Sequence, residues 1–148
     1  MVLIVPDSSV VIPYLLRGAY VERMNRARRA RRLVLCFVVA EEVMAGARDR
    51  NDRQDYESFF ALSHRSGPVV TPIDSEWLSC GRMISRYQER YGKIRSRDHQ
   101  NDILILLMAL RLARQEETIL ITENDSDFTT WLNFVHDRAR MRIEAVRR

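Results

Sequence analysis

Apolar positions fall into two kinds of run along this chain. Met1 to Val5 and Leu33 to Val39 are continuous and show no alternation. That pattern predicts strands buried on both faces, as in a parallel sheet covered by helices. Val69 to Ile73, broken by Pro72, predicts a short third strand, Thr118 to Thr122 a fourth, and Arg142 to Val146 a last edge strand. Between these runs the apolar residues recur at helical spacing. Ser8 and Ser9 are placed to cap a helix through Leu16 that Gly18 closes, and Val21, Met24, Ala27 and Ala30 mark one face of a helix from Tyr20 to Arg32. Ala40 to Gly46 reads as a short helix with Glu41 and Glu42 in its opening turn, and Asp49 to Ser66 as a peripheral helix ended by Gly67-Pro68. Asp74 is the expected N-cap of a helix from Ser75 to Tyr91. After a loop from Gly92 to Arg97, Asp98 to Arg114 is the most apolar helix of the chain, and Ile103 to Leu110 is apolar almost all round. A helix of that kind belongs at the centre of a fold; the apolar run is far short of the roughly 20 residues that span a bilayer. Glu123 to Asp127 reads as a polar turn and Phe128 to Phe134 as a further helix. Strands alternating with helices predict one domain over 1–148, a three-layer α/β/α fold with a central, mainly parallel sheet.

Composition narrows the class without naming a function. Of 148 residues, 46% are hydrophobic, enough for a core without staples. Cys36 and Cys80 lack metal-ligand spacing, and Cys36 reads as a small core residue in a reduced compartment. The apolar N-terminus has no basic leader and is interrupted by Pro6-Asp7, so we read it as a strand rather than a signal peptide. The expected location is cytoplasmic, with no membrane partner. Net charge is +4, and Lys93 is the only lysine. Arginine's planar fork suits phosphates and carboxylates. Six arginines between Arg23 and Arg32 therefore predict a surface for RNA or a protein partner, with Arg23, Arg26 and Arg29 as its candidates.

The acidic residues that interrupt apolar runs carry the chemistry. Asp7 ends the first strand beyond Pro6, Glu42 follows the second, Asp102 stands at the head of the central helix, and Asp125 and Asp127 follow the fourth strand. In open α/β sheets, ligands bind beyond the carboxyl ends of the strands, where these positions converge. Taken singly, Asp102 and Asp125 also suit helix N-termini and Glu42 a solvated face. Taken together, carboxylates about 4 Å apart repel by roughly 4 kcal/mol per pair at an effective dielectric near 20. A hard divalent cation offsets that repulsion. Phosphodiester hydrolysis is the chemistry that uses such a cation to activate water and steady the leaving oxygen. No Walker-type loop is present, and His64, His99 and His136 are scattered, with no Ser/His or Cys/His pairing that suggests nucleophilic catalysis.

These residues resemble the PIN domain family. Asp7-Ser8-Ser9-Val10-Val11 is similar to its Asp-Thr-Ser-Val start, and Ala40-Glu41-Glu42-Val43-Met44-Ala45-Gly46 to its Ala-Glu-Leu-x-x-Gly element, whose spacing selects Glu42. Asn101-Asp102-Ile103-Leu104-Ile105 resembles its Asp-x-x-Ile-Ala helix start, with Leu106 where a small alanine is usual. Thr122-Glu123-Asn124-Asp125-Ser126-Asp127-Phe128 resembles its Thr-x-Asn-x-x-Asp-Phe loop. The match runs in order over about residues 1 to 130, and the chain length looks like that of VapC-type toxins. The resemblance implies a Mg²⁺- or Mn²⁺-dependent endoribonuclease of a type II toxin-antitoxin module, held inactive by a cognate antitoxin and commonly a homodimer. It implies Asp7, Glu42, Asp102 and Asp127 as metal-holding catalytic residues, with Ser9 and Asn124 in support. The last loop offers both Asp125 and Asp127, and adjacency to Phe128 favours Asp127. A non-catalytic PIN-like module that binds RNA or protein through its arginines is the alternative, and a receiver-like domain is disfavoured because no lysine follows the last strands.

Overall fold

The computed structural model describes residues 2–148; Met1, the expected first residue of the first strand, lies outside them. In chain order the elements are β1 (Leu3–Pro6), α1 (Ser8–Arg17), α2 (Val21–Arg29), β2 (Leu35–Cys36), α3 (Phe37–Ala45), α4 (Arg50–Ala61), α5 (Ser63–Ser66), β3 (Val69–Val70), α6 (Asp74–Tyr91), α7 (Ser96–Ala113), β4 (Thr118–Thr122), α8 (Asp125–Leu132) and β5 (Met141–Ala145). All the strand pairs are parallel. One ladder joins β1 to β4 and β4 to β5, and a second joins β2 to β3. A bridge between Ile4 and Leu33 connects them, so the strands run in the order β3-β2-β1-β4-β5. This is the α/β fold with a central parallel sheet that the alternation of runs predicts.

The sheet order follows from where the apolar residues are. Interior β4 is buried at every position, as is Val5 in β1, while β5 at the edge is only partly buried. Helix α7 packs along β4 and β5 and carries the core: Ile103 to Leu106, Met108 and Ala109 are wholly buried. Leu106 is therefore a core side chain, and its bulk is accommodated there. Cys36 and Cys80 are buried free thiols, and burial pushes Cys36 up to about 12. Among the described residues no helix is long and apolar enough to cross a membrane.

Two glycines shape the turns. Gly18 closes α1 at φ 64°, the left-handed conformation that favours glycine. At Gly67, with φ 155°, a Cβ would stand 2.3 Å from the Leu33 carbonyl oxygen. The chain entering β3 passes too close to β2 for any side chain.

Several boundaries differ from the sequence reading. The apolar run Leu33 to Val39 is not one strand: β2 ends at Cys36 and α3 begins at Phe37, burying Val39, Ala40 and Val43. A run without periodicity fits a buried helix as well as a strand. Glu41 and Glu42 consequently lie in the second turn of α3. Ile73, not Asp74, is the cap position of α6, and its N–H donates to Glu76 Oε1 at 3.0 Å. Asp125 and Asp127 lie in the first turn of α8 rather than in a loop, where the helix dipole favours acidic residues. Ser8 and Ser9 do not cap α1; Asp7 holds that position through its backbone carbonyl, which accepts from the Val10 and Val11 N–H groups.

Candidate active site

Pro6 closes β1 and Asp7 turns into α1, so the Asp7 carboxylate stands at the carboxyl end of the sheet's middle strand. It is 7% exposed and held on both oxygens. Ser9 Oγ donates to Oδ1 at 2.5 Å, and Thr122 Oγ1, from the end of β4, donates to Oδ2 at 2.7 Å. Burial raises the Asp7 carboxyl above the ordinary 3.8, against the lowering effect of these hydrogen bonds. Because both oxygens are fixed, the carboxylate has one orientation.

The other carboxylates gather around it. Glu42, half-buried on α3, accepts from Ser8 Oγ at 3.1 Å on Oε2, while its buried Oε1 has no partner. Burial chiefly raises Glu42, with Asp7 and Glu41 adding to it. Asp102, in the second turn of α7, is pushed up to about 7 by burial first and then by the charges of Asp127, Glu42 and Asp7. Four carboxylates from four separate elements thus feel one another at one end of the sheet. Asp127, not Asp125, is the α8 acid whose charge reaches Asp102. It is fixed by Asn124 Nδ2, which donates to Oδ2 at 2.9 Å.

The sequence reading assigned no role to Thr122, yet its hydroxyl ties two of these parts together. It donates to Asp7 and accepts the Asn124 N–H at 3.0 Å, so Asp7 and the loop carrying Asn124 share one support. The Glu123 N–H in turn donates to Ser9 Oγ at 2.9 Å. A hydroxyl at the last residue of a strand flanking Asp7 was the available signal. His99 is occupied elsewhere, packed edge-on against Trp131 at 5.6 Å.

In donor type and charge the carboxylates suit a hard divalent cation: all are oxygen ligands, and Glu42 presents an oxygen that nothing satisfies. Among the described residues, however, no three acidic, His or Cys side chains close into a coordination shell. The carboxylates are convergent but splayed.

The arginines expected as a single surface are not one. Arg23 forks both oxygens of Glu144 on β5, and Arg26 pairs with Glu22 one turn away at 2.7 Å. Arg29 is exposed with no ion pair among the described residues.

No family model and no curated protein matches the sequence. Solved structures do match in fold. The chain is similar to one in the DNA-bound VapBC of Salmonella typhimurium, at a TM-score of 0.65, 15% identity and 98% coverage of each chain. It is also similar to one in VapBC2 of Rickettsia felis bound to a promoter DNA fragment, at 0.66 and 13%, covering 97% of this chain and 99% of that one. These likenesses show the fold: this chain shares that of the two VapBC chains over nearly its whole length. The PIN domain of T. brucei RRP44 aligns at a TM-score of 0.49 and 15% identity, over 97% of this chain and 76% of its own. On this fold the carboxylates take the crevice at the strand ends, where α/β sheets hold ligands.

Proposed function

We propose that this chain is a PIN domain and a metal-dependent endoribonuclease, the toxin of a type II toxin-antitoxin module, hydrolysing RNA phosphodiester bonds. The observation that carries the reading is Asp102, a carboxyl pushed up to about 7 by burial and by three neighbouring carboxylates from other elements. A protein keeps such repulsion where a cation or substrate offsets it. Asp7, Glu42, Asp102 and Asp127 would hold Mg²⁺ or Mn²⁺, which supplies water activation and charge stabilisation at the phosphate. The chain's own residues prepare that site. Ser9 and Thr122 fix the Asp7 carboxylate in one orientation, and Ser8 fixes one oxygen of Glu42, leaving the other free to ligate. Asn124 restrains Asp127, the most exposed of the four.

A cognate antitoxin is part of this reading: the motifs resemble those of VapC-type toxins, and both neighbours are named as VapBC bound to DNA. Self-association into a homodimer is also part of it. Phe37 and Trp77, 52% and 48% exposed, line one hollow of about 440 Å³ whose wall also carries Glu41 and Arg97, an exposed aromatic pair that a second copy would cover. Trp77→Glu is expected to turn a dimer into a monomer in light scattering.

The test is cleavage of total cellular RNA by partner-free protein with Mn²⁺ or EDTA, beside the Asp102→Asn variant. Discrete products that require both metal and Asp102 are expected. No cleavage by folded wild type, or equal cleavage by Asp102→Asn, would sink the enzyme and favour a binding module.

A further inference from the structure

Not all of the arginines in and around α2 spend their charge internally. Arg23 pairs with Glu144, Arg26 with Glu22 and Arg32 with Glu116, the last at 2.6 Å. Arg28 and Arg29 make no ion pair among the described residues, and neither does Arg65 on the short helix α5. These three line one hollow of about 300 Å³, with Asn25, Leu62 and Ser66 and no carboxylate in its wall. Arg28 is held before any ligand arrives. Its Nη1 donates to the Tyr14 hydroxyl at 2.9 Å, its guanidinium lies 5.4 Å from the Phe59 ring centre, and Tyr14 donates to Asn25 Oδ1 at 2.7 Å.

Three unpaired guanidinium groups around one hollow repel each other until an anion enters, and a guanidinium already oriented loses little freedom in binding one. We propose that Arg28, Arg29 and Arg65 form an oxyanion site that takes a backbone phosphate of the RNA. The inference rests on the ribonuclease reading for its ligand. A polyanion engages an array of cations more fully than a single carboxylate does, and Arg31 adds a further unpaired cation just beyond α2. The Ser66 carbonyl accepts from the Leu33 N–H just before β2, at the amino end of the parallel strands, whereas Asp7 lies beyond the carboxyl end of β1. The site therefore grips nucleotides remote from the scissile bond and contributes to binding rather than to chemistry.

The test measures binding of labelled unfractionated cellular RNA to Asp102→Asn protein in EDTA across a range of salt. Replacing Arg28, Arg29 and Arg65 by Gln is expected to weaken binding by about 10- to 100-fold at low salt. The slope of log affinity against log salt should fall by about 1, and Lys at all three positions should restore it. The double variant Arg29→Gln/Arg65→Gln spares the Phe59 contact and should show most of the loss. In the active protein the Gln variants should raise KM for long RNA with kcat unchanged, and leave cleavage of a short oligonucleotide as it was. Wild type that binds RNA while the Gln variants keep its affinity and slope overturns this site alone; wild type that binds no RNA overturns both readings. Unchanged RNA binding with lost protection by inorganic phosphate in thermal melts makes this a free-phosphate site and overturns the RNA assignment. Unchanged RNA binding with lost antitoxin binding overturns it in favour of an acidic protein surface.

Discussion

The acidic crevice and the arginine-rich helix are both charge clusters, but the chain treats them differently. In the crevice, Asp7, Glu42, Asp102 and Asp127 come from four elements, and no cation side chain pairs with any of them among the described residues. In and just beyond α2, half of the six arginines from Arg23 to Arg32 are paired with glutamates. Paired charge steadies a scaffold, whereas charge left in repulsion at a fixed place marks where a ligand completes the structure. Charge density along the sequence does not separate the two cases. Pairing in space does.

The largest expected effect breaks the crevice. Asp102→Asn should lower metal-dependent RNA cleavage at least about 100-fold, as loss of a key electrostatic group does, with circular dichroism unchanged; cleavage rates on one purified RNA measure it. Metal should next stabilise the fold. At a Mn²⁺ concentration about 100 times its Kd, the gain is roughly 2.7 kcal/mol, and Asp7→Asn should remove most of the corresponding rise in melting temperature.

A third outcome sharpens the contrast through pH. Without metal, folded Asp102 holds its proton up to about 7, against 3.8 in the ordinary state. Between those values the folded chain binds more protons than the unfolded one, so this group makes stability fall as pH rises through that window. EDTA-treated protein should therefore melt at a higher temperature at pH 5 than at pH 7.5, and Asp102→Asn should flatten the dependence. The smallest effect lies on α2. Arg23→Ala, which breaks a half-exposed forked pair, should cost about 0.5–1 kcal/mol in urea unfolding, whereas Arg29→Ala should cost nothing measurable.

Much of this fold was legible because apolar runs report burial directly. The strand Thr118–Thr122 and the central helix came from runs whose length and flanks left one reading. The division of Leu33 to Val39 did not, because residues buried all round look alike in a strand and in a helix. That Asp7, Glu42, Asp102 and an acid following the fourth strand share one end of the sheet was expected from their places at strand ends and at a helix head, while the choice of Asp127 over Asp125 came only from the family resemblance. The support for Asp7 was not, because serines after a strand suit a cap and a hydrogen bond to a carboxylate equally, and only register brings Thr122 beside it. Which arginines are free was not legible at all. Glu116 and Glu144 are more than 80 residues from their partners, and only the folded chain delivers them.

The close pass at Gly67 limits what the gene is free to become. If every codon were randomised and active clones sequenced, position 67 should return glycine alone, because a Cβ there meets backbone and not a side chain that turns aside. Position 81, inside α6 with nothing within 4 Å of a built Cβ, should return many residues. One glycine in this sequence is a fixed letter and the other a spare one, and the difference is a single carbon's distance from the start of a strand.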